Sequence, residues 1–277
     1  MFEFRFERSY HGPINAVIFD WAGTTVDYGC MAPTQVFLEV FRRHGVEITT
    51  EQARGPMGSH KRDHIREISR MAVVANRWQE VHGQPCSEAD VDEMYAEFIP
   101  LQVAAISEYS DLIPGTLETV EACRRRGIKV AGTTGYSREM MEVLEKEAQQ
   151  RGYVPDTSVS ATDVPVGRPA PWMCFTAAQR LGVYPMESIV KIGDTVPDIA
   201  AGLNAGMWTV GVTKTGNEFG LDESAVEALS DQEFEERQRC AYQKMYQAGA
   251  HYVVDEIADV LECLEDIEER LEAGERP

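Results

Sequence analysis

The sequence predicts an α/β protein in which a mostly parallel sheet is covered by helices on both faces. Two observations support this: short apolar runs recur along the chain, and segments with helical periodicity separate them. The apolar runs lie at 16–19, 128–132, 158–161, 188–192 and 208–212, with a weaker sixth at 251–254. The helical segments between them include 115–126, 138–150, 171–181 and 197–205.

One long segment departs from this alternation. Residues 29–107 contain helical patterns at 34–44, 61–81 and 87–107 but no convincing strand. A span of this length is too long for a single crossover connection. We therefore expect a helical insertion after the first strand that can close over the carboxyl edge of the sheet. The alternative is that these helices pack on the sheet as ordinary crossovers.

Composition and charge restrict the cellular context and the partners. The chain has 277 residues, 43% of them hydrophobic, and a formal net charge of −20. Nucleic acid and anionic membranes are therefore poor partners, and an anionic substrate requires local cations. The chain lacks a run of about 18 apolar residues, and its first residues lack the apolar core of a signal peptide. Six scattered cysteines without a Cys-x-x-Cys pair favour a reducing cytoplasm.

Asp20 follows the first apolar run and precedes a Gly-Thr turn. In parallel α/β sheets, ligands bind at the carboxyl ends of the strands. A carboxylate at this point can act as a nucleophile or as a metal ligand in phosphoryl transfer. The alternative is that Asp20 only caps the next turn. Three further motifs at corresponding strand ends favour the catalytic interpretation.

Two of these motifs offer donors for phosphate oxygens. The segment 133–137 (Thr-Thr-Gly-Tyr-Ser) follows the second run, and hydroxyls and backbone N–H groups at such turns hold phosphate oxygens. Arg168 stands between Gly167 and Pro169, where a restricted backbone can present its guanidinium to a phosphate or phosphonate. The alternative for Arg168 is a solvated side chain on a surface loop.

The third motif places two carboxylates four residues apart after the run at 188–192. Asp194 could coordinate Mg²⁺ together with Asp20, because magnesium is usually held by one or two carboxylates, waters and substrate phosphate oxygens. Asp198 could orient this site from behind or cap the following helix.

Taken in order, the four motifs resemble those of the haloacid dehalogenase superfamily. The matching residues are Asp20–Thr24, Thr134, Arg168 and Gly193–Asp198. Phosphatases of this superfamily usually carry a second Asp two residues after the nucleophile. That position is Ala22 here, and alanine cannot protonate a leaving group.

A carbon leaving group would explain the missing acid. Breaking a P–C bond expels a carbanion, and a lysine imine turns that carbanion into an enamine. Lys61 suits this role: Ser59 can cap a helix that places Lys61 in its first turn, with His64 on the same face. The helix dipole, Arg62 and partial burial should lower the pKa of Lys61. The alternative is a solvated helix lysine.

With Ala22 and this lysine motif, the chain closely resembles the phosphonoacetaldehyde hydrolase (phosphonatase) family. The matching segments are Asp20–Thr24, Met57–His64, Thr134–Tyr136, Gly167–Trp172 and Gly193–Thr195. The resemblance implies a Rossmann-like core of the haloacid dehalogenase type, at 1–28 and 108–277. It also implies a helical cap domain at 29–107 that carries the Schiff-base lysine, and a homodimer paired through the cap helices.

The resemblance also implies the reaction and the roles of the site residues. The family hydrolyses phosphonoacetaldehyde to acetaldehyde and phosphate with Mg²⁺. Lys61 would form the imine, and Asp20 would attack phosphorus to give an aspartyl phosphate. Mg²⁺ would be held by Asp20, the backbone carbonyl of Ala22 and Asp194. The phosphonate oxygens would be held by Thr134, Gly135 and Arg168. Substrate binding and proton transfer would involve Cys30, Met57, Gly58, Tyr136 and His64.

Several alternatives remain open at this point. The chain could be a Mg-dependent phosphatase or dehalogenase acting on another small anion, which Ala22 disfavours. It could be a non-catalytic binding protein, which the intact Asp20, Lys61 and Asp194 disfavour. Packing alone could also account for Cys30 and Met57, because both residue types are often buried for shape.

Overall fold

The computed structural model describes residues 9–277. Residues 1–8, where no signal peptide is expected, lie outside the described residues. The centre of the fold is a six-stranded parallel sheet with the order β3-β2-β1-β4-β5-β6. The strands are β1 (Ala16–Asp20), β2 (Lys129–Thr134), β3 (Thr157–Ser160), β4 (Ile189–Gly193), β5 (Trp208–Val212) and β6 (Tyr252–Val254). The predicted α/β class is confirmed, and the weak sixth run is an edge strand.

Twelve α-helices accompany the sheet within the described residues. They are α1 (Met31–Arg43), α2 (Thr50–Arg54), α3 (Lys61–Arg70), α4 (Ala72–His82), α5 (Glu88–Ile106), α6 (Thr116–Arg125), α7 (Arg138–Gln150), α8 (Trp172–Leu181), α9 (Val196–Asn204), α10 (Glu223–Glu227), α11 (Asp231–Gln247) and α12 (Val260–Glu272). Capping boxes at Thr49, Ser87 and Ser230 begin α2, α5 and α11. None of the helices in residues 9–277 is both long and apolar enough to cross a bilayer.

The sheet separates two hydrophobic layers. Successive side chains of a strand point to opposite faces, so Val17 and Phe19 of β1 face one layer while Ala16 and Ile18 face the other. Residues of α6, α7 and α12 cover the first layer, and residues of α8 and α9 cover the second. Because both faces are covered, every residue of β1 is buried, and its first four residues form a continuous apolar run.

Helices α1–α5 occupy the segment between β1 and β2, and residues 29–107, all of them described, contain no strand. Within this segment α5 packs against α1 and α3, and it also contacts α7. The helical pattern at 61–81 is two helices rather than one. They meet at Met71, whose backbone is extended (φ −61°, ψ 129°). Buried residues continue on both sides of the break, so hydrophobic periodicity alone did not reveal it.

The strand register determines which motifs meet. Asp20 of β1 lies opposite Thr133 of β2, and Phe19 lies opposite Ile192 of β4. The ends of these three central strands therefore bring Asp20, the 133–137 turn and Asp194 to the same edge of the sheet.

Candidate active site

Asp20 and Arg168 form a buried ion pair at this edge. Arg168 Nη2 donates to Asp20 Oδ1 at 2.5 Å and to the carbonyl and hydroxyl oxygens of Thr133, both at 2.9 Å. The Arg168 side chain is 1% exposed, so the alternative of a solvated surface arginine is wrong. Burial raises the pKa of Asp20, and the charge of Arg168 opposes that rise.

Two further carboxylates lie beside Asp20. One oxygen from each of Asp20, Asp194 and Asp198 lies within 4.8 Å of the others. Asp198 has its own cations, since its Oδ1 lies 2.6 Å from Lys191 Nζ and 3.0 Å from Arg168 Nη2. Burial works against ionisation of Asp198, but Arg168 and Lys191 outweigh it and lower its pKa. Asp198 is therefore already compensated by protein charges.

Asp194, by contrast, has no lysine, arginine or histidine nitrogen within 4.0 Å in the described chain. It accepts hydrogen bonds from Thr24 Oγ1 at 3.3 Å, Cys30 Sγ at 3.3 Å and Asn217 N at 2.8 Å. Burial and the two neighbouring carboxylates raise its pKa well above the ordinary value. Clustered buried carboxylates without enough cations fit a bound metal ion.

The turn after Asp20 packs closely against Asp194. Gly23 has φ +85°, and a Cβ there would lie 2.2 Å from Asp194 Oδ2, so this approach requires glycine. Cys30 Sγ lies 3.1 Å from the Ala22 carbonyl oxygen and 3.3 Å from Asp194 Oδ2, and its single hydrogen is shared between these two acceptors. Burial raises the pKa of the Cys30 thiol well above its usual value, so the thiol stays protonated and keeps donating. The Ala22 carbonyl and Asp194 therefore share one corner of the site.

Lys61 begins α3 and is only 3% exposed, so the solvated-lysine alternative is wrong. Its Nζ lies 3.7 Å from Met57 Sδ, 5.3 Å from the centroid of the Tyr136 ring and 5.6 Å from that of Phe37. Burial lowers its pKa to about 8, although the nearby Cys30 and Asp20 groups act in the opposite direction. The amine is therefore neutral far more often near pH 7 than an ordinary lysine.

Two sequence predictions about the surroundings of Lys61 are wrong. Ser59 does not cap α3, because its hydroxyl donates to the Pro56 carbonyl at 2.8 Å and the N-cap residue is His60. Arg62 is not the cation beside the amine, since it points away to Asp92 and Glu88. The cation that lowers the pKa of Lys61 is Arg168, from a distant part of the chain.

Most of the predicted site residues line one cavity between the sheet edge and the segment that contains α1 and α3. Its lining is Asp20, Ala22, Cys30, Pro33, Met57, Gly58, Lys61, Thr134, Gly135, Tyr136, Arg168 and Thr195. The cavity volume is only about 20 Å³, enough for a single water. Gly135 allows this closeness, because a Cβ there would lie 2.5 Å from the carbonyl oxygen of Ser59.

Comparison with known proteins identifies the family. The family model for haloacid dehalogenase-like hydrolases matches residues 14–206. A Syntrophobacter fumaroxidans protein named phosphonoacetaldehyde hydrolase-like protein is 50% identical over 275 residues, 98% of this chain and 99% of that protein. The chain belongs to the phosphonoacetaldehyde hydrolase family. The phosphonoacetaldehyde hydrolase of Nitratidesulfovibrio vulgaris is also 50% identical, over 98% of this chain and 96% of its own length.

One solved structure agrees with this family assignment, and another agrees with the fold. The crystal structure of a phosphonoacetaldehyde hydrolase-like protein from Oleispira antarctica matches with a TM-score of 0.97 and 42% identity, covering 100% of both chains. A β-phosphoglucomutase from Bacteroides vulgatus, described as putative, matches with a TM-score of 0.66 at 19% identity, which shows a shared fold alone. The resemblance stated from the sequence motifs is confirmed.

In this member of the phosphonoacetaldehyde hydrolase family, His64 lies outside the cavity lining. It is fully buried, its Nε2 donates to the Ala53 carbonyl at 2.7 Å, and its ring lies 3.8 Å from that of Phe37. Burial lowers the pKa of His64 well below its ordinary value, with Lys61 adding to the effect. Its Nδ1 has no partner among the described residues and is an available acceptor.

Sequence reasoning missed several residues that complete this candidate site. Lys191 pairs with Asp198, and Thr195 Oγ1 donates to the same carboxylate at 2.5 Å. A charged residue within the apolar run at 188–192 was the available signal for Lys191, because a fully buried strand lysine needs a counter-ion. Asn217, which holds Asp194, lies in a loop after β5, and no sequence pattern pointed to it.

Gly58→Ala is expected to weaken contact between the inserted helices and the sheet edge. Gly58 has φ +91°, and a Cβ there would lie 2.3 Å from Thr195 Oγ1. The substitution should lower the free energy of unfolding by about 2 kcal/mol and raise KM. Gly83→Ala is the matched control, because Gly83 has φ +73° with nothing within 4 Å and carries the backbone strain alone, about 1 kcal/mol. Urea unfolding of both variants checks this; equal losses would contradict it.

Proposed function

We propose that this chain hydrolyses phosphonoacetaldehyde to acetaldehyde and phosphate through a lysine imine and an aspartyl phosphate, in phosphonate degradation. The observation that carries the proposal is the buried Lys61 amine, which faces the same cavity as Asp20 and has no carboxylate within 4.0 Å in the described chain. A neutral amine has a lone pair available for an aldehyde, and burial raises the neutral fraction of Lys61. Relatives named for this substrate support the choice.

The first step is imine formation. Lys61 Nζ attacks the aldehyde carbon, and water leaves as the C=N bond forms. Met57 Sδ lies 3.7 Å from Nζ and, as a weak acceptor, orients the amine without neutralising it. The imine nitrogen, once protonated, accepts the electrons that the next step releases.

The second step breaks the P–C bond. An Asp20 oxygen attacks phosphorus, and the electrons of the P–C bond move to carbon, so that an enamine leaves. The phosphonate oxygens would be bound by Arg168, Thr134 and the Gly135 N–H. Before substrate binds, Arg168 donates to Asp20. The enamine takes a proton on carbon and hydrolysis frees acetaldehyde and Lys61. Water then cleaves the aspartyl phosphate to phosphate and Asp20.

Asp20, the Ala22 carbonyl and Asp194 would hold Mg²⁺. The buried carboxyl group of Asp194, which has no cation within 4.0 Å among the described residues, supports this set, whereas Asp198 already has Lys191 and Arg168. Bound Mg²⁺ supplies charge stabilisation to the phosphonate and its transferring group. An alanine at position 22 is compatible with this reaction, because the imine rather than an acid assists the leaving group.

Proton movements would involve Tyr136, Cys30 and His64. Gln102 Nε2 donates to Tyr136 Oη at 3.0 Å, which leaves the phenolic hydrogen free for another acceptor. Burial raises the pKa of Tyr136 well above its usual value, so the hydrogen is retained. Gly58, with its loop against Thr195, would close the substrate pocket.

The chain would be organised as a core at 1–28 and 108–277 with a helical cap domain at 29–107. The cavity is too small for the substrate as it stands, so the cap must open to admit it. We also place the enzyme in the cytoplasm, consistent with its free cysteines, as a homodimer paired through the cap helices.

The pH dependence of kcat/KM provides one test. The pKa of Lys61 is lowered to about 8, and only the neutral amine attacks the aldehyde. At pH 7 about one amine in ten is neutral, against about one in three thousand at the ordinary value. We expect kcat/KM to rise about tenfold per pH unit up to pH 8 and then to level off. A rise continuing to pH 10 would contradict the shifted pKa.

Reductive trapping tests the imine itself. Incubation with phosphonoacetaldehyde and cyanoborohydride should add the carbon fragment of the substrate irreversibly to Lys61, detected by peptide mass spectrometry. A phosphatase or dehalogenase of the same superfamily would give turnover of another small anion and no adduct. Phosphonoacetaldehyde hydrolysis without any adduct on Lys61 would contradict the proposed mechanism.

A further inference from the structure

Arg54, the last residue of α2, carries a buried charge and has no carboxylate oxygen within 4.0 Å in the described chain. It is 9% exposed, and its guanidinium bonds only uncharged groups among the described residues, with Nε unpartnered. Burying a cation without a counter-ion is unfavourable. Its role must therefore come from the uncharged groups that its guanidinium contacts.

The guanidinium connects the inserted helices to a loop of the sheet. Nη1 donates to the Gly29 carbonyl at 2.7 Å and to Asn217 Oδ1 at 3.3 Å. Asn217 Nδ2 donates in return to the Arg54 carbonyl at 3.4 Å. If the Asn217 amide were reversed, its NH₂ group would face the Arg54 Nη1 donor and its oxygen would face the Arg54 carbonyl oxygen. These two partners therefore determine the orientation of the amide.

The same asparagine holds Asp194. Its backbone N–H donates to Asp194 Oδ2 at 2.8 Å. Gly216 makes this approach feasible, because a Cβ there would lie 2.4 Å from Asp194 Cβ. On the other side of the loop, a Cβ on Gly220 would lie 3.3 Å from Arg54 Nε. Loop residues 216–220 are thus packed between Arg54 and Asp194.

We propose that Arg54 is a positioning residue that sets the metal affinity of Asp194 through Asn217. The inference rests on the proposed role of Asp194 as a metal ligand. Groups that orient a ligand from behind typically change metal affinity about 10–100-fold. Because Arg54 belongs to the inserted helices, closure of these helices and metal binding stabilise each other, and the coupling is reciprocal.

Metal binding can be measured without turnover. We would titrate the full-length protein with Mn²⁺ in the absence of substrate and follow free Mn²⁺ by electron paramagnetic resonance. Arg54→Met and Asn217→Ala should each raise the Kd by about 10-fold or more. The double variant should raise it no further than the stronger single variant, because both substitutions interrupt one link.

Arg237→Met is the matched control. Arg237 lines the same surface groove as Arg54 but donates to the Phe219 carbonyl at 3.1 Å and not to Asn217. Its removal takes the same formal positive charge from the groove, and because loss of a positive charge does not oppose cation binding, the Mn²⁺ Kd should not rise. An Arg237→Met variant that weakens Mn²⁺ binding as much as Arg54→Met would show that the effect does not require the bond to Asn217, and would overturn the inference.

Two further outcomes separate the inference from the proposed function. Wild-type Mn²⁺ affinity in Asn217→Ala overturns the positioning role, and this variant keeps Arg54 in place should Arg54→Met fail to fold. If Asn217→Ala binds Mn²⁺ like wild type but Asp194→Asn abolishes binding, the positioning role fails and the proposed metal site stands. If Asp194→Asn binds Mn²⁺ as tightly as wild type, the metal site and the inference both fail.

Discussion

Replacing Lys61 with arginine is expected to abolish acetaldehyde formation, with a fall in kcat/KM of at least about 10⁴-fold. Arginine keeps a positive charge at the start of α3, but its guanidinium is always protonated and does not form an imine. The electrons of the P–C bond then have no acceptor, and Asp20 cannot displace the carbon fragment. Acetaldehyde measured with a coupled dehydrogenase checks this result. Unchanged turnover in Lys61→Arg would contradict the mechanism.

Lys61→Met separates lost chemistry from lost folding. A pKa of about 8 rather than 10.5 corresponds to a penalty of about 3 kcal/mol for the charged form in the folded state. Below pH 8 both states are protonated and the full penalty applies. Between pH 8 and pH 10.5, Lys61 is protonated in the unfolded chain but neutral in the folded protein. The free energy of unfolding therefore rises with pH across this range, and the penalty disappears.

Methionine has a similar length and carries no charge, so Lys61→Met should melt at a higher temperature than wild type at pH 7. Its advantage should shrink as the pH rises above 8. Thermal unfolding followed by circular dichroism measures both effects. An inactive Lys61→Met protein that is less stable than wild type at every pH would identify Lys61 as a structural residue instead.

Replacing Asp20 with asparagine is expected to stop phosphate release, again by at least about 10⁴-fold, while imine formation continues. Asparagine has nearly the same shape but is a poor nucleophile, so no aspartyl phosphate forms. Phosphonoacetaldehyde should still condense with Lys61, and cyanoborohydride should still trap it. The pair of measurements, phosphate release and the trapped adduct, assigns the two residues to successive steps.

The control for Asp20→Asn is Asp27→Asn, which removes a second buried carboxylate from the same turn region. Asp27 accepts hydrogen bonds from the backbone N–H groups of Met31 and Ala32 and does not line the cavity. This variant should keep phosphate release. Phosphate release at the wild-type rate in Asp20→Asn would remove Asp20 from the chemistry. Loss of the Lys61 adduct in Asp20→Asn would contradict the order of the steps.

The sequence predicted much of this molecule correctly because the evidence was local. Fully buried parallel strands are continuous apolar runs, so the five strong runs and the weak sixth run all correspond to strands. The polar motifs stand at the ends of these strands, so parallel topology alone brings Asp20 and Asp194 to one edge. The helical content of residues 29–107 was evident from the helical patterns there and from the absence of any strand-like run.

The predictions that failed depended on which side chains meet across the chain. Ser59 is a good capping residue by type, but its hydroxyl bonds the carbonyl of Pro56. Arg62 is adjacent to Lys61 in sequence, yet it forms surface ion pairs. Arg168 lies more than a hundred positions away and is the cation that acts on Lys61. The helix breaks at Met71, although the periodicity of buried residues continues across that position.

The sequence by itself determined the fold class, the family and the chemical groups available, because periodicity and residue type are properties of the chain. Only the tertiary structure decided how charge is distributed among those groups. Asp198 has two cations and Asp194 has none within 4.0 Å in the described chain, although both follow the same strand. The interaction between charges depends on their separation and burial, and packing between distant segments sets both quantities.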